Sequence, residues 1–368
     1  MVKKIGIDAR LYSQTGVGVC IRNLLFYLQR IKLEGIFFYV YLTDEDYEKI
    51  DFTNQSFIKK RANYHWHTLD EQIGFLKDLN KDSLDLMHFT YFSFPAFYRK
   101  RFIATVHDLT LIYFKTGKAS TKNPLLYEIK HGIFKYILKT QIKHAAKIIT
   151  PSATVKQQLL DNYGNNLDNK IIPIYEGVNH EITEVKENDS LKNKFTEKFF
   201  IYVGNFYPHK NVESLVRAFS IVKENVRLIL LGPDDFFLAR IRKLIVDLKQ
   251  EKKIIYFKTQ SINDLVFFYK NAEALIHPSL SEGFGLPLLE AAHFNLPVIG
   301  SNIPIFKEIL DSQYLSFDPN SLTDMTEKIN EFIQKKPEYN CQSILKKFSF
   351  EEMAKKTLEC YLQIINAQ

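Results

Sequence analysis

Glu282 and Glu290 bracket seven residues in the most chemically loaded stretch of the chain, HPSLSEGFGLPLLEAAHFNLPVIGSN, residues 277 to 302. The stretch reads as a strand ending near Pro278, a glycine turn, and a helix opened by Pro287. Proline suits a first helical turn because its missing N–H costs nothing there. Gly283 and Gly285 let backbone amides approach a ligand closely. A helix start of this kind presents N–H groups and a positive dipole end to an anion such as a diphosphate. Glu282 then suits a sugar hydroxyl and Glu290 a ribose diol. Taken singly, each has a plain reading: Glu290 matches the helix dipole, and the glycines only make a tight loop.

Other residues that could do chemistry lie elsewhere. His107 and Asp108 close the run FIATVHDL, and the carboxyl ends of strands are where open α/β sheets bind ligands. The alternative is a histidine satisfied locally with Asp108 capping a turn. His88, in DLMHFTYF, follows the same logic more weakly. Gly16 and Gly18 open a helix, although a lone G-x-G is weak evidence. Asp44-Glu45-Asp46 and Asp234-Asp235 mimic metal-binding acids but read as helix starts or solvated turns, with no third oxygen ligand for magnesium. Cys20, Cys341 and Cys360 are far apart with no CxxC pair, so neither a disulfide framework nor a zinc site is indicated, and a reducing cytosol is expected.

The elements that must position these groups alternate from end to end. Strands are expected at 4–8, 36–42, 102–109 and 147–152, with a helix over 18–31 carrying Ile21, Leu24, Leu25 and Leu28 on one face. A polar segment, EITEVKENDSLKNKFTEK (181 to 198), reads as a linker. The rhythm then restarts: strands 199–204, 227–232, 254–258 and 273–278, helices 211–224, 236–250 and 261–270. The last segment, 348–365, reads as a helix with Ser349 at its N-cap and Glu351 and Glu352 in the first turn. The fold class is α/β: two Rossmann-like, doubly wound parallel-sheet domains, 1–180 and 190–347, with the C-terminal helix 348–368 returning to the first.

A chain of 368 residues is too long for one ordinary core and about right for two domains. At 46% hydrophobic and 25% charged residues it has the means to bury a core and lacks the signature of disorder. No uncharged apolar run approaches the ~18 residues of a membrane span, and Asp8 and Arg10 interrupt any leader-like start, which argues against a transmembrane or secreted protein. Residues 1 to 180 hold 25 Lys+Arg against 17 Asp+Glu, whereas the remainder holds 24 against 25, so the first half carries the basic surface. No nucleic-acid motif accompanies it, and no nucleic-acid partner is expected. The first strand leads to TGVG, not G-x-G-x-x-G, which argues against a dehydrogenase.

SEGFGLPLLEA followed by LPVIGSN resembles the Glu-x7-Glu signature of the retaining glycosyltransferases of family 4, which have the GT-B fold. GVGVCIRNLL (16 to 25), TVHDLT (105 to 110), IITPSATVKQQLL (148 to 160), YVGNFYPHKNVESLVRAF (202 to 219) and the run from Asn263 to Asn302 resemble that family in the same order. The resemblance implies two domains facing a cleft. It implies that Glu282 contacts donor-sugar hydroxyls, that Glu290 holds the nucleotide ribose, and that amides from Gly283 through Phe284 and Gly285 to Leu286 meet the diphosphate. Lys210 becomes the diphosphate cation, His107 lies near the transferred sugar, and Gly16 and Gly18 come beside the donor phosphate. Many members carry arginine where this chain has Asn205, which leaves leaving-group stabilisation to Lys210 and the helix end. No metal or other cofactor is implied. His107, Lys210 and Glu282 would orient and stabilise, while the departing diphosphate accepts the acceptor's proton on the face it leaves.

IGIDAR, VHDLT and GNFYPHKN are similar to bacterial mannosyltransferases, which favours GDP-mannose as donor and a glycan or lipid-linked saccharide as acceptor in polysaccharide or glycolipid biosynthesis. A UDP-hexose donor, or a GT-B-fold sugar-nucleotide epimerase, are the other readings. Residues 115 to 147 hold eight lysines against one acid, Glu128. Lys135, Lys139, Lys143 and Lys147 recur every four residues as one helical stripe. The stripe is either a solvated face or, with Arg99, Lys100 and Arg101, a dock for anionic lipid on a cytoplasmic enzyme peripheral to the inner membrane face.

Overall fold

A computed structural model describes residues 2–14, 16–114, 124–259 and 261–367, without the side chains of 124–127 and 342. The chain divides into two compact units: 1–112, 123–176 and 349–368 form the first, and 113–122 and 177–348 the second.

The first unit is built on seven parallel strands: β1 (Lys3–Asp8), β2 (Ile36–Leu42), β3 (Phe57–Arg61), β4 (Leu86–Phe89), β5 (Phe102–Thr105), β6 (Lys147–Thr150) and β7 (Ile171–Pro173). Their order, β3-β2-β1-β4-β5-β6-β7, reverses direction between β1 and β4, where Ile5 pairs with Leu86. That reversal opens a crevice at the carboxyl ends of the two central strands. The second unit repeats the plan with β8 (Phe199–Val203), β9 (Arg227–Leu231), β10 (Ile254–Phe257), β11 (Leu275–His277), β12 (Val298–Ser301) and β13 (Leu315–Phe317) in the order β10-β9-β8-β11-β12-β13. Here the reversal lies between β8 and β11, where Ile201 pairs with Leu275.

The strands form because their sequences are near-continuous β-branched and aromatic runs, as parallel strands covered on both faces require. IFFYVYL occupies the whole of β2, and all four residues of β4 and of β5 are buried. In the second core, Phe200, Leu228, Leu230 and Ile276 meet Leu215, Val216 and Phe219 from the helix Val212–Ile221. Each such side chain contributes roughly 1.5–3 kcal/mol when taken out of water.

The final helix, Phe350–Asn366, starts where Ser349 Oγ accepts the Glu352 N–H. Its buried stripe of Phe350, Met353, Ala354, Thr357, Leu358 and Tyr361 packs on the helix Val17–Leu28 of the first unit. Tyr361 Oη lies 2.7 Å from His88 Nδ1, which joins this helix to β4. The polar stretch 181–198 is more than a linker. It buries Ile182, Leu191 and Phe195 in the second unit and hydrogen-bonds through Asn188 to Asn263 and Asp264. Among the described residues, no helix is long and apolar enough to cross a membrane.

Candidate active site

In the second unit the chain leaves β8 through Gly204 and Asn205 and makes a single tight turn, Pro208–Lys210. It leaves β11 at His277 and runs through Pro278 to Glu282. β8 and β11 are neighbours, so the two loops meet at the reversal of strand order, and the Leu280 N–H donates to the His209 carbonyl at 2.8 Å. Lys210 Nζ donates to both oxygens of Glu282, at 2.6 and 2.7 Å. Ser279 Oγ donates to Glu282 Oε1 at 2.7 Å, and His277 Nε2 stands 3.1 Å from the same oxygen. Burial alone would push the Glu282 carboxyl up, but the Lys210 ammonium and the His277 contact outweigh it and hold the group well below the usual carboxylate range. Glu282 is therefore an anion bonded to a cation.

Gly285 takes the left-handed conformation (φ 99°) that the turn into the helix Leu286–His293 requires, and Pro287 occupies its first turn. Glu290 is the fifth residue of that helix, one turn past its start, so it does not cap the dipole. It is buried, and Tyr269 Oη donates to its Oε2 at 2.6 Å. Burial raises its carboxyl to about 7, with the tyrosine bond opposing that rise. Phe284 is also buried, its ring 5.7 Å from that of Phe348. Asn205 shapes its own loop: its carbonyl accepts from Tyr202 Oη and its Oδ1 from the Tyr207 N–H. What remains for a ligand is its Nδ2 donor.

In the first unit His107 follows β5 and is buried, its Nε2 3.0 Å from the Thr90 carbonyl and its Nδ1 3.4 Å from Glu176 Oε1. Asp108 accepts the Thr110 N–H at 2.7 Å, the local turn cap that its position allowed. His88 is wholly satisfied inside the core, between Tyr361 Oη and Thr105 Oγ1, and burial lowers its pKa to about 3. Both ring nitrogens are taken by these partners. Gly18 is required by packing: a Cβ there would stand 2.6 Å from the Tyr12 carbonyl and 2.7 Å from that of Leu11. Gly16, with φ 65°, is the residue before the helix Val17–Leu28 and has open space beside it.

Several partners carry little signal in the sequence. His277, Ser279 and Tyr269 were hidden inside element-forming runs, and only the HPS of a strand end signalled the first two. Glu176 sat in a stretch with no periodicity to place it. Near the reversal between β1 and β4, Arg10 donates to Asp8 at 2.9 and 2.7 Å and to Glu71 at 2.8 Å, and Glu71 accepts from Ser93. This buried network rigidifies the loops after β1 and β4. The Asp44–Asp46 acids begin a short helix capped by Thr43, and Asp235 accepts three backbone N–H groups. Among the described residues, Cys20, His107 and Glu176 form the group whose donor atoms could close on one metal ion.

The basic stripe is shorter than its spacing implied. The helix Pro124–His144 carries exposed Lys135, Lys139 and Lys143, but Lys147 opens β6 and gives its Nζ to the Asn169 carbonyl. Lys115, Lys118 and Lys122 lie outside the described residues. Ile129, Ile133 and Tyr136 are exposed on the same helix, at 51%, 53% and 65%, which puts apolar groups beside the lysines. Arg99, Lys100 and Arg101 each donate to a backbone carbonyl, of Ala96, Asn80 and Ile364.

Two family models divide the chain between them: Glycosyltransferase Family 4 matches residues 15–182, and Glycosyl transferases group 1 matches residues 184–345. The O-antigen chain mannosyltransferase RfbU of Salmonella typhimurium is 32% identical over 227 residues, 60% of this chain and 62% of that protein. The chain thus spans less than two thirds of that relative's length. A glycosyltransferase of Methanocaldococcus jannaschii is 28% identical over 92% of this chain and 91% of its own. Among solved structures, sucrose-phosphate synthase from Thermosynechococcus elongatus superposes with a TM-score of 0.80 at 16% identity over the whole of both chains. Anabaena HepE in complex with UDP-glucose gives 0.75 at 16% identity, over 98% and 99% of the two chains. With both halves matched and the two parallel sheets in place, the chain belongs to the family 4 glycosyltransferases of GT-B fold.

Proposed function

We propose that this glycosyltransferase is a retaining mannosyltransferase that takes its hexose from GDP-mannose and passes it to a glycan or lipid-linked saccharide in polysaccharide assembly. The observation that carries the reading is the Lys210–Glu282 pair at the strand-order reversal of the second sheet, with Glu290 on the helix that begins three residues after Gly283. The choice of mannose is supported by the likeness to RfbU and to the O-antigen chain mannosyltransferase B of Escherichia coli, 28% identical over 44% of this chain.

In the proposed reaction Lys210 turns part of its charge from Glu282 to the diphosphate, and the start of the helix Leu286–His293 adds its dipole. Glu282 accepts hydroxyls of the sugar and Glu290 those of the ribose. The bond from the sugar C1 to the phosphate oxygen breaks as the acceptor oxygen bonds to C1 on the same face. The departing phosphate oxygen takes the acceptor's proton. His107 orients the transferred sugar without attacking it. The charge that a metal would supply comes in this reading from Lys210 and the helix end, and no cofactor is invoked. Lys135, Lys139 and Lys143, with Ile129, Ile133 and Tyr136 beside them, dock the enzyme on an anionic membrane from the cytoplasmic side.

Thermal shift with a panel of nucleotide sugars, followed by NMR of the product anomer, tests this. GDP-mannose is expected to raise the melting temperature most, because a ligand that binds only the folded state stabilises it, and the product is expected to keep the donor's α configuration. Equal shifts from GDP-mannose and UDP-glucose would remove the donor assignment. An inverted anomer would remove the mechanism, and turnover of donor without acceptor to an epimeric nucleotide sugar would replace transfer by isomerisation.

A further inference from the structure

His107 and Glu176 face each other at a distance that an ordinary hydrogen bond does not explain. The Thr90 carbonyl can only accept, so His107 Nε2, 3.0 Å away, carries the ring hydrogen. Nδ1 faces Glu176 Oε1, 3.4 Å away. A charge-assisted N–H···O bond closes to about 2.7–2.9 Å, so this contact is too long for one. It is close to the edge of a tetrahedron around an ion with ligands at about 2.0–2.1 Å, roughly 3.3 Å. Cys20, from the helix Val17–Leu28, brings a third donor, and the three donor atoms all lie within 4.8 Å of one another.

We infer that Cys20 Sγ, His107 Nδ1 and Glu176 form a binding site for zinc, with a fourth position open to water. The donor set fits the ion: thiolate, imidazole and carboxylate are the protein ligands of Zn²⁺, and three of them plus water is its open-site arrangement. The outer contact fits as well, because an Nε2–H held by a backbone carbonyl fixes the tautomer and aims the Nδ1 lone pair. His107 and Glu176 are buried, and Cys20, partly exposed, lines a small cavity with Glu176, Thr105 and Met353. Zinc takes the sulfur as thiolate, so the Cys20 thiol must give up its proton. Binding therefore releases that proton to solvent as the S–Zn bond forms. Zinc here occupies the Nδ1 of His107, so on the reading given under Proposed function it inhibits transfer and takes no part in it.

The test uses the full chain, stripped with a chelator and titrated with ZnCl2 and, separately, CoCl2. One equivalent of zinc is expected to bind, and cobalt is expected to show a thiolate-to-metal charge-transfer band. Cys20→Ser should abolish that band. Cys20→Ser and Glu176→Gln should each weaken zinc binding about 10–100-fold, while Cys360→Ser leaves both readouts as in the wild type. Melting curves of the metal-free variants check folding, with Cys20→Ala as a substitute if the serine variant melts early. Failure to bind zinc at about 100 µM, or binding unchanged in both Cys20→Ser and Glu176→Gln, would overturn the site. Zinc bound stoichiometrically with transfer unimpaired would keep the site and remove His107 from the reaction, so the two readings fail separately.

Discussion

Lys210 and Glu282 lie 72 residues apart in sequence, yet the ammonium bonds both carboxylate oxygens, with side chains only 16% and 9% exposed. Breaking a buried pair by removing one partner costs about 3–5 kcal/mol, because the other charge is left uncompensated. Lys210→Met is therefore expected to destabilise the chain by about 3 kcal/mol in urea unfolding, and Lys210→Met with Glu282→Leu by less than the sum of the single changes. Additive losses would mean that the pair is not coupled. The Glu282 carboxyl is depressed in the folded state, so its contribution is fully present above the unfolded carboxyl value near 4.3 and is lost as pH falls below it toward the folded value.

Glu290 has the opposite sign. Its folded value, about 7, lies above the unfolded one, so the folded chain holds a proton that the unfolded chain has released. The resulting penalty is absent below pH ~4.3 and complete above about 7. Glu290→Gln is expected to be more stable than the wild type at pH 8, an advantage that disappears by pH 4.5. The same variant should bind GDP more weakly, and wild-type affinity should rise between pH 6 and 8 as the acid ionises, a slope that Glu290→Gln lacks. Calorimetric titration at three pH values checks this, and parallel profiles for the two proteins would refute it.

His107 separates binding from chemistry. It is proposed to orient the transferred sugar and not to hold the diphosphate. His107→Ala is expected to lower kcat by about 10²-fold, within the range for a positioned polar group, while the Kd for GDP changes less than twofold. A matched loss in both would make the residue structural.

The exposed face of the helix Pro124–His144 makes a prediction about surfaces. Each lysine near an anionic bilayer contributes about 1 kcal/mol, so changing Lys135, Lys139 and Lys143 together to Glu should cut partitioning onto phosphatidylglycerol vesicles by at least roughly 10²-fold. High salt should mimic the change in the wild type. Ile133→Ser should weaken binding in a salt-independent way, and sedimentation that ignores all three lysines would exclude the dock.

The strands were legible in the sequence because parallel strands covered on both faces need unbroken β-branched and aromatic runs, and IFFYVYL and RLILL are such runs. The turn after β11 was legible because Gly285 and Pro287 each satisfy a local backbone requirement. Long-range partners were not. Nothing local marks that Tyr269 bonds Glu290 or that Glu176 returns to His107, since those contacts are set by strand order. The lysine spacing misled at Lys147 because the four-residue period continues past the point where the helix ends at His144.

The resemblance brings Gly16 and Gly18 beside the donor phosphate, and the surroundings of Gly18 also give it a packing task. A Cβ there meets two carbonyl oxygens of the chain's own loop, at Tyr12 and Leu11, closer than real Cβ contacts run. Gly18→Ala must push that loop away from the start of the helix, at a cost of about 1–3 kcal/mol as in other overpacked sites. Gly16→Ala meets no atom but is strained by its positive φ, at about 1 kcal/mol. If the loop only shapes the first unit, both variants melt earlier, Gly18→Ala more so, and retain wild-type GDP affinity below their melting points. If the Gly16 amide reaches the donor, GDP-mannose affinity falls in Gly16→Ala out of proportion to its stability loss. Comparing the two variants by thermal shift with and without GDP-mannose separates a packing glycine from a binding one.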